Sequence, residues 1–226
     1  MIKKINNKLR LFCGDIKHTH FVSLGEVCIA AWYIKVCGLR TGAYPFDWVF
    51  SSPEIVLDCI NDEFKCFLDK KYMEKSKGAG HFKYHSRFFK HKNPYTDNVN
   101  YEYYERCCKR FMKLINSDER IIYVLHLMND LEGVSSLGWR RGFNHKFDLP
   151  INQTQKDFQI LIDNLKERNN NIKFIVIDSY KTKKRSAYYK ENGDVFFINY
   201  HHVGDKGLKF ANKKDDAVFK KILDLS

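Results

Sequence analysis

Apolar positions fall into two rhythms along this chain. Four short, nearly unbroken runs, at residues 21–24, 121–127, 172–177 and 195–200, read as strands covered on both faces. Between them apolar residues recur at three- and four-residue steps, the spacing of amphipathic helices. Ile29, Trp32, Tyr33, Val36 and Cys37 form one such set, with Gly38 as its stop. Ser51-Ser52-Pro53-Glu54 reads as a helix start whose apolar face is Ile55, Cys59, Ile60 and Phe64. Residues 100–116 repeat the spacing through Tyr104, Cys107, Cys108, Phe111, Leu114 and Ile115. Residues 154–166 do so with Phe158, Ile160, Leu161 and Leu165 inward, and residues 215–225 with Val218, Phe219, Ile222 and Leu223.

The remainder is less regular. A short first strand is expected at Leu9–Phe12 and a tight aromatic turn at Pro45-Phe46-Asp47-Trp48. Residues 68–100 lack a clear period and read as loop with short strands at Phe82–Tyr84 and Arg87–Phe89. Residues 131–150, with Gly133, Gly138, Gly142 and Pro150, read as loop. Apolar strands alternating with helices predict an α/β three-layer sandwich, Rossmann-like, with a mainly parallel sheet. No repeat or low-complexity linker divides the chain, so residues 1–226 are expected to form a single domain.

Composition narrows the setting. No apolar run reaches the roughly 18–20 residues of a membrane-spanning helix, and the basic first ten residues are not followed by a signal-peptide pattern. The seven cysteines show no CxxC or CxxxH spacing, so most read as buried thiols in a reducing compartment. A soluble cytoplasmic protein is expected, with no metal and no cofactor. The net charge of +12 suits an anionic ligand. It admits nucleic acid without favouring it, because Lys-, Asn- and Ile-rich composition also raises charge with no ligand involved.

Candidate chemistry gathers at the ends of the strands. In open α/β sheets ligands bind beyond the strand carboxyl ends, and the turn after Leu24 is the most heavily loaded. Gly25 permits close backbone approach, and the helix that opens near Cys28 offers free N–H groups and a partial positive charge. A thiol there is favoured as thiolate, although Cys28 equally suits a small apolar residue on a buried helix face. His126 reads as a core histidine inside its strand, with Asn129 and Asp130 just beyond it as ligand-facing candidates. Arg140-Arg141 and Lys181–Arg185 read as solvated loops or anion contacts. His81 and His85 stand four apart in a segment not helical enough for a metal pair. The layout also suits SGNH-type esterases and nucleotide-sugar transferases. In the former Ser23 would be nucleophile and His201-His202 would supply the base, but no GDS block or DxxH pair is present.

The run Ser23-Leu24-Gly25-Glu26-Val27-Cys28, then Gly38-Leu39-Arg40, then Ala43-Tyr44-Pro45-Phe46-Asp47-Trp48, resembles the DUF1796 family, which carries the label "putative papain-like cysteine peptidase". Phe88-Phe89-Lys90-His91 and a helix carrying Tyr103 or Tyr104, Arg106, Arg110 and Phe111 extend the resemblance to about residue 127, with Cys107-Cys108-Lys109 diluting the arginine pair. The resemblance implies a Cys/His hydrolase or acyl transferase. Cys28 would be nucleophile, His91 base and later acid, and Asp47 would orient the imidazole or hold the loop. Ser23, Gly25, Arg40, Trp48, Asn129 and Asp130 are the expected substrate-binding residues. The substrate would be a small molecule, glycan or peptide, and anionic. A sugar transferase or esterase holding phosphate at the Gly25 turn, and a non-enzymatic anion-binding module, are the alternatives.

Overall fold

The computed structural model describes residues 1–75, 79–129, 140–148, 153–182, 184–203 and 209–225. Its elements follow in the order α1 (Ile2–Cys13), β1 (Thr19–Ser23), α2 (Ile29–Val36), α3 (Pro53–Asn61), α4 (Lys65–Leu68), α5 (Asn98–Ile115), β2 (Arg120–Asn129), α6 (Gln155–Arg168), β3 (Ile172–Lys181), β4 (Ser186–Asn192), β5 (Val195–His202) and α7 (Lys213–Leu223). The five strands make one sheet in the order β1-β2-β3-β5-β4. The first four in that order are parallel, and β4 joins the edge antiparallel to β5. A three-layer α/β architecture with a mainly parallel sheet is therefore present.

Local chemistry explains the ends of these elements. The Ser52 hydroxyl accepts from the Ile55 amide and Pro53 fills the first turn of α3. Gly38 has φ of 72°, a left-handed conformation, just past the end of α2. A reciprocal cap between Thr154 and Asp157 opens α6. On one sheet face Phe12 of α1 meets Phe196, while Tyr33 of α2, Phe219 of α7 and Tyr200 close on one another. Tyr123 and Phe174 stack on the opposite face, and α3 packs on α6. Beside the sheet, Phe46, Phe64, Phe67 and Phe111 form an aromatic core that binds the Pro45–Trp48 turn to α4 and α5.

Several expectations are corrected. Leu9–Phe12 is not a strand but the last part of α1. Its Ile5, Leu9 and Phe12 keep helical spacing, which the polar residues between them disguised. Phe82–Tyr84 and Arg87–Phe89 are turns joined by isolated bridges at His81 and His85, and the rings of Tyr84, Phe88 and Phe89 fill a core without a ladder while Phe82 is exposed. Ile160 is 73% exposed: it lies on the outer face of α6, away from buried Phe158, Leu161 and Leu165. Strand β4 escaped notice because its polar, half-exposed residues belong to an edge strand. Among the described residues no helix is long and apolar enough to cross a membrane.

Candidate active site at the carboxyl end of the first strand

Strand β1 delivers the chain into the Gly25 turn. The Leu24 amide still donates to the Val124 carbonyl, 3.0 Å away, so the turn stays against β2. A Cβ at Gly25 would stand 3.1 Å from the His126 amide nitrogen. A side chain here would press tightly on the neighbouring strand. From the other side Ser51 clips the turn: its hydroxyl donates to the Gly25 carbonyl at 2.7 Å and its amide to the Glu26 carbonyl at 3.2 Å. The turn is held rigidly, and Cys28 follows at the N-cap of α2, its carbonyl accepting from the Trp32 amide.

The Cys28 thiol is buried. Burial pushes it up to about 12, with Asp47 adding to the rise and Lys90 opposing it. In this geometry the sulfur is protonated at neutral pH. Asp47 is buried as well, and burial pushes its carboxyl up to about 6. That carboxylate accepts from Arg40 at 3.0 Å and from the Tyr44 amide at 3.1 Å, so it ties the aromatic turn to the Gly38–Arg40 segment. His91 is exposed, and its ring meets Trp48 edge-on at 6.3 Å. Partial burial, with Lys90 beside it, lowers its pKa. Asp47 and Lys90 therefore each lie within electrostatic reach of Cys28, while among the described residues no hydrogen bond joins Cys28, His91 and Asp47. Trp48 and Arg40 are half-buried.

The other candidates divide. Ser23 is fully buried in β1 and its hydroxyl has no partner among the described residues. Asn129 is buried at the end of β2, bonded to the Gln153 backbone and to Asp178; Asp130 lies outside the described residues. His126 bonds Ser179 at 2.9 Å, and burial lowers its pKa to about 3, a neutral core histidine. His81 Nε2 donates to the Cys66 carbonyl, and the ring stacks on Tyr84. His202 is buried against Phe210, and His201 packs beside Tyr180 and Tyr188.

Arg140 is not a solvated loop residue. Its side chain is 9% exposed, donates to the Met128 carbonyl and lies 3.6 Å from Glu26. Glu26 itself, absent from the sequence-based candidates, is 2% exposed. One carboxylate oxygen accepts from the Met128 amide at 3.3 Å; the other has no partner among the described residues. Burial pushes this carboxyl up to about 8, against the pull of Arg140. The available signal was a lone acid inside an otherwise apolar turn, Leu24-Gly25-Glu26-Val27. Arg185 likewise is paired, with buried Asp215.

The fold and this region define an α/β protein with a parallel sheet and a cysteine at the helix start beyond its first strand. Residues 19–95 match the model of the family described as "Putative papain-like cysteine peptidase (DUF1796)". The match spans β1, α2, the Pro45–Trp48 turn, α3 and His91, and it ends before α5, so the arginine-bearing helix lies beyond it. No curated protein and no solved structure gives a match to the chain.

Proposed function

We propose that this protein is a cysteine-dependent hydrolase or acyl transferase in which Cys28 is the nucleophile. The observation that carries the reading is the position of Cys28. It begins α2 at the carboxyl end of β1, inside the segment that matches the peptidase-named family. The first amides of α2 are available there to stabilise an oxyanion. Because burial keeps the thiol protonated, the reaction needs a base. His91 follows Lys90, whose charge reaches the sulfur, and is unprotonated at neutral pH. The thiol proton passes to the imidazole and the thiolate adds to an acyl carbon. The imidazolium then protonates the leaving group as the tetrahedral adduct collapses to a thioester, and water or a second acceptor releases the acyl group. Asp47 acts by holding Arg40 and the Tyr44–Trp48 turn. Trp48 offers a flat contact beside His91.

The substrate in this reading is anionic. Lys90 and Arg87 stand over the ring of Phe50, and Lys92 stands 4.3 Å from the centroid of Tyr103. Lys90, whose charge reaches the sulfur, and Arg40, paired with the Asp47 carboxylate that also reaches it, supply the positive charge of this region. An esterase reading through Ser23 has less behind it, since that hydroxyl is sealed within β1.

Thiol labelling tests the proposal. Cys37 and Cys66 are more exposed than Cys28, so accessibility alone predicts that iodoacetamide modifies those two first. A nucleophilic Cys28 predicts the reverse order in peptide mapping at pH 7, with His91→Ala slowing Cys28 labelling and leaving Cys37 and Cys66 unchanged. Protection of Cys28 while Cys37 and Cys66 react would remove the basis of the reading.

A further inference from the structure

At its carboxyl end the sheet carries a second cluster, on the face that also bears Tyr123 and Phe174. Strand register sets it in two rows. Asn129, Tyr180, His201 and Ser186 lie side by side across β2, β3, β5 and β4, and Leu127, Asp178, Asn199 and Tyr188 form the row before them. Nearer the strand starts, this same face is apolar and buried: Tyr123, Leu125, Phe174 and Val176. The burial lifts abruptly. Asp178, Tyr180, Asn199 and His201 are half-buried, and Tyr188 is 53% exposed.

The chemistry of the rows is specific. Asp178 is fixed by two donors, Asn129 Nδ2 at 2.6 Å and the Tyr180 hydroxyl at 2.8 Å, yet each carboxylate oxygen can accept again. Asn129 is itself locked by the Gln153 backbone. Gln153 is 4% exposed, and neither atom of its side-chain amide has a partner among the described residues, a costly arrangement unless something supplies one. His201 stands between two tyrosines, its ring 5.4 Å from Tyr180 and 6.1 Å from Tyr188, both steeply inclined to it. Aromatic walls beside a fixed carboxylate, Asn199 and Ser186 suit a ligand with an apolar C–H face and a girdle of hydroxyls.

We propose that this cluster is a binding site for a sugar ring, with Tyr188 against its C–H face, His201 beside its edge and Asp178 accepting from its hydroxyls. An ammonium ligand would use the rings and Asp178, but it would leave Asn199 and Ser186 without a task. The site is separate from Cys28 and does not depend on the hydrolase reading.

Saturation-transfer NMR on the full chain with glucose, galactose, mannose and N-acetylglucosamine, each tested separately, checks the assignment. At least one should show transfer to protons on a single ring face. Tyr188→Ala should weaken that sugar's binding roughly tenfold. Because Tyr188 is exposed, the variant should keep the wild-type circular dichroism spectrum. Asp178→Asn should weaken it as well, and Cys28→Ala should leave it unchanged. Silence with all four sugars, or transfer that survives Tyr188→Ala, overturns the site. Binding of tetramethylammonium in place of the sugars, lost in Tyr188→Ala, overturns the sugar assignment.

Discussion

The Asp47 carboxylate meets the Arg40 guanidinium at 3.0 Å, and the pair draws together the Gly38–Arg40 and Pro45–Trp48 segments that follow Cys28. Its energetics are set by burial. Asp47 is 4% exposed, and its carboxyl is raised from 3.8 to about 6 despite Arg40 and the Tyr44 amide. The folded state therefore holds this proton more tightly than the unfolded chain does. Stability contributed by Asp47 is greatest below pH 4 and falls as pH rises towards 6, by on the order of 3 kcal/mol. Asp47→Asn should remove this dependence, so the variant loses more stability relative to wild type at pH 4 than at pH 7. Thermal melts of both proteins between pH 4 and 7 measure it; a difference that grows with pH would refute the assignment.

Gly25 is needed for its lack of a side chain. A Cβ 3.1 Å from the His126 amide nitrogen must displace either the turn or β2. Gly25→Ala should cost about 1–3 kcal/mol, as overpacking does in tight interiors. Urea denaturation gives the value directly. An unchanged midpoint would mean that the turn has room to move.

The Glu26–Arg140 pair makes a further pH prediction. Glu26 is raised from 4.5 to about 8, so its contribution to stability declines as pH climbs through that interval. Glu26→Gln should be stabilised relative to wild type at pH 9 and lose that advantage at pH 5. Arg140→Met removes the opposing charge. At pH 9 it should cost about 3–5 kcal/mol, and much less when Glu26→Gln is also present. A double-mutant cycle by chemical denaturation at the two pH values resolves both effects.

His126 acts in the opposite direction. Burial lowers it from 6.5 to about 3, so the unfolded chain binds its proton first as the solution is acidified. The stability it contributes is complete above pH 6.5 and is lost as pH falls towards 3. His126→Gln, which keeps a polar group near Ser179, should show a shallower loss of melting temperature between pH 7 and 4 than wild type. A parallel decline in both proteins would indicate that other groups govern acid unfolding.

Period and punctuation fixed much of the architecture in advance. Four apolar runs became β1, β2, β3 and β5. Pro53 and Gly38 marked helix ends, because those signals act through neighbouring residues and local backbone geometry. The motif around Cys28 and Trp48 was equally legible, and residues 19–95 match the family that those residues suggested. Long-range matters were not. Strand β4 is polar because only one of its neighbours is a strand, and α1 looked polar because only its inner stripe packs, mainly against α7. Arg140 read as a surface residue until Glu26, 114 positions earlier, was found beside it. The sequence by itself determined where the thiol-bearing turn lies and which helix it opens. Only the tertiary structure decided that Gly25 faces β2, that Asp47 is bound to Arg40, and that Asp178, Tyr188 and His201 share a face. Burial and pairing across distant segments are properties of the packed chain, with no local pattern to announce them.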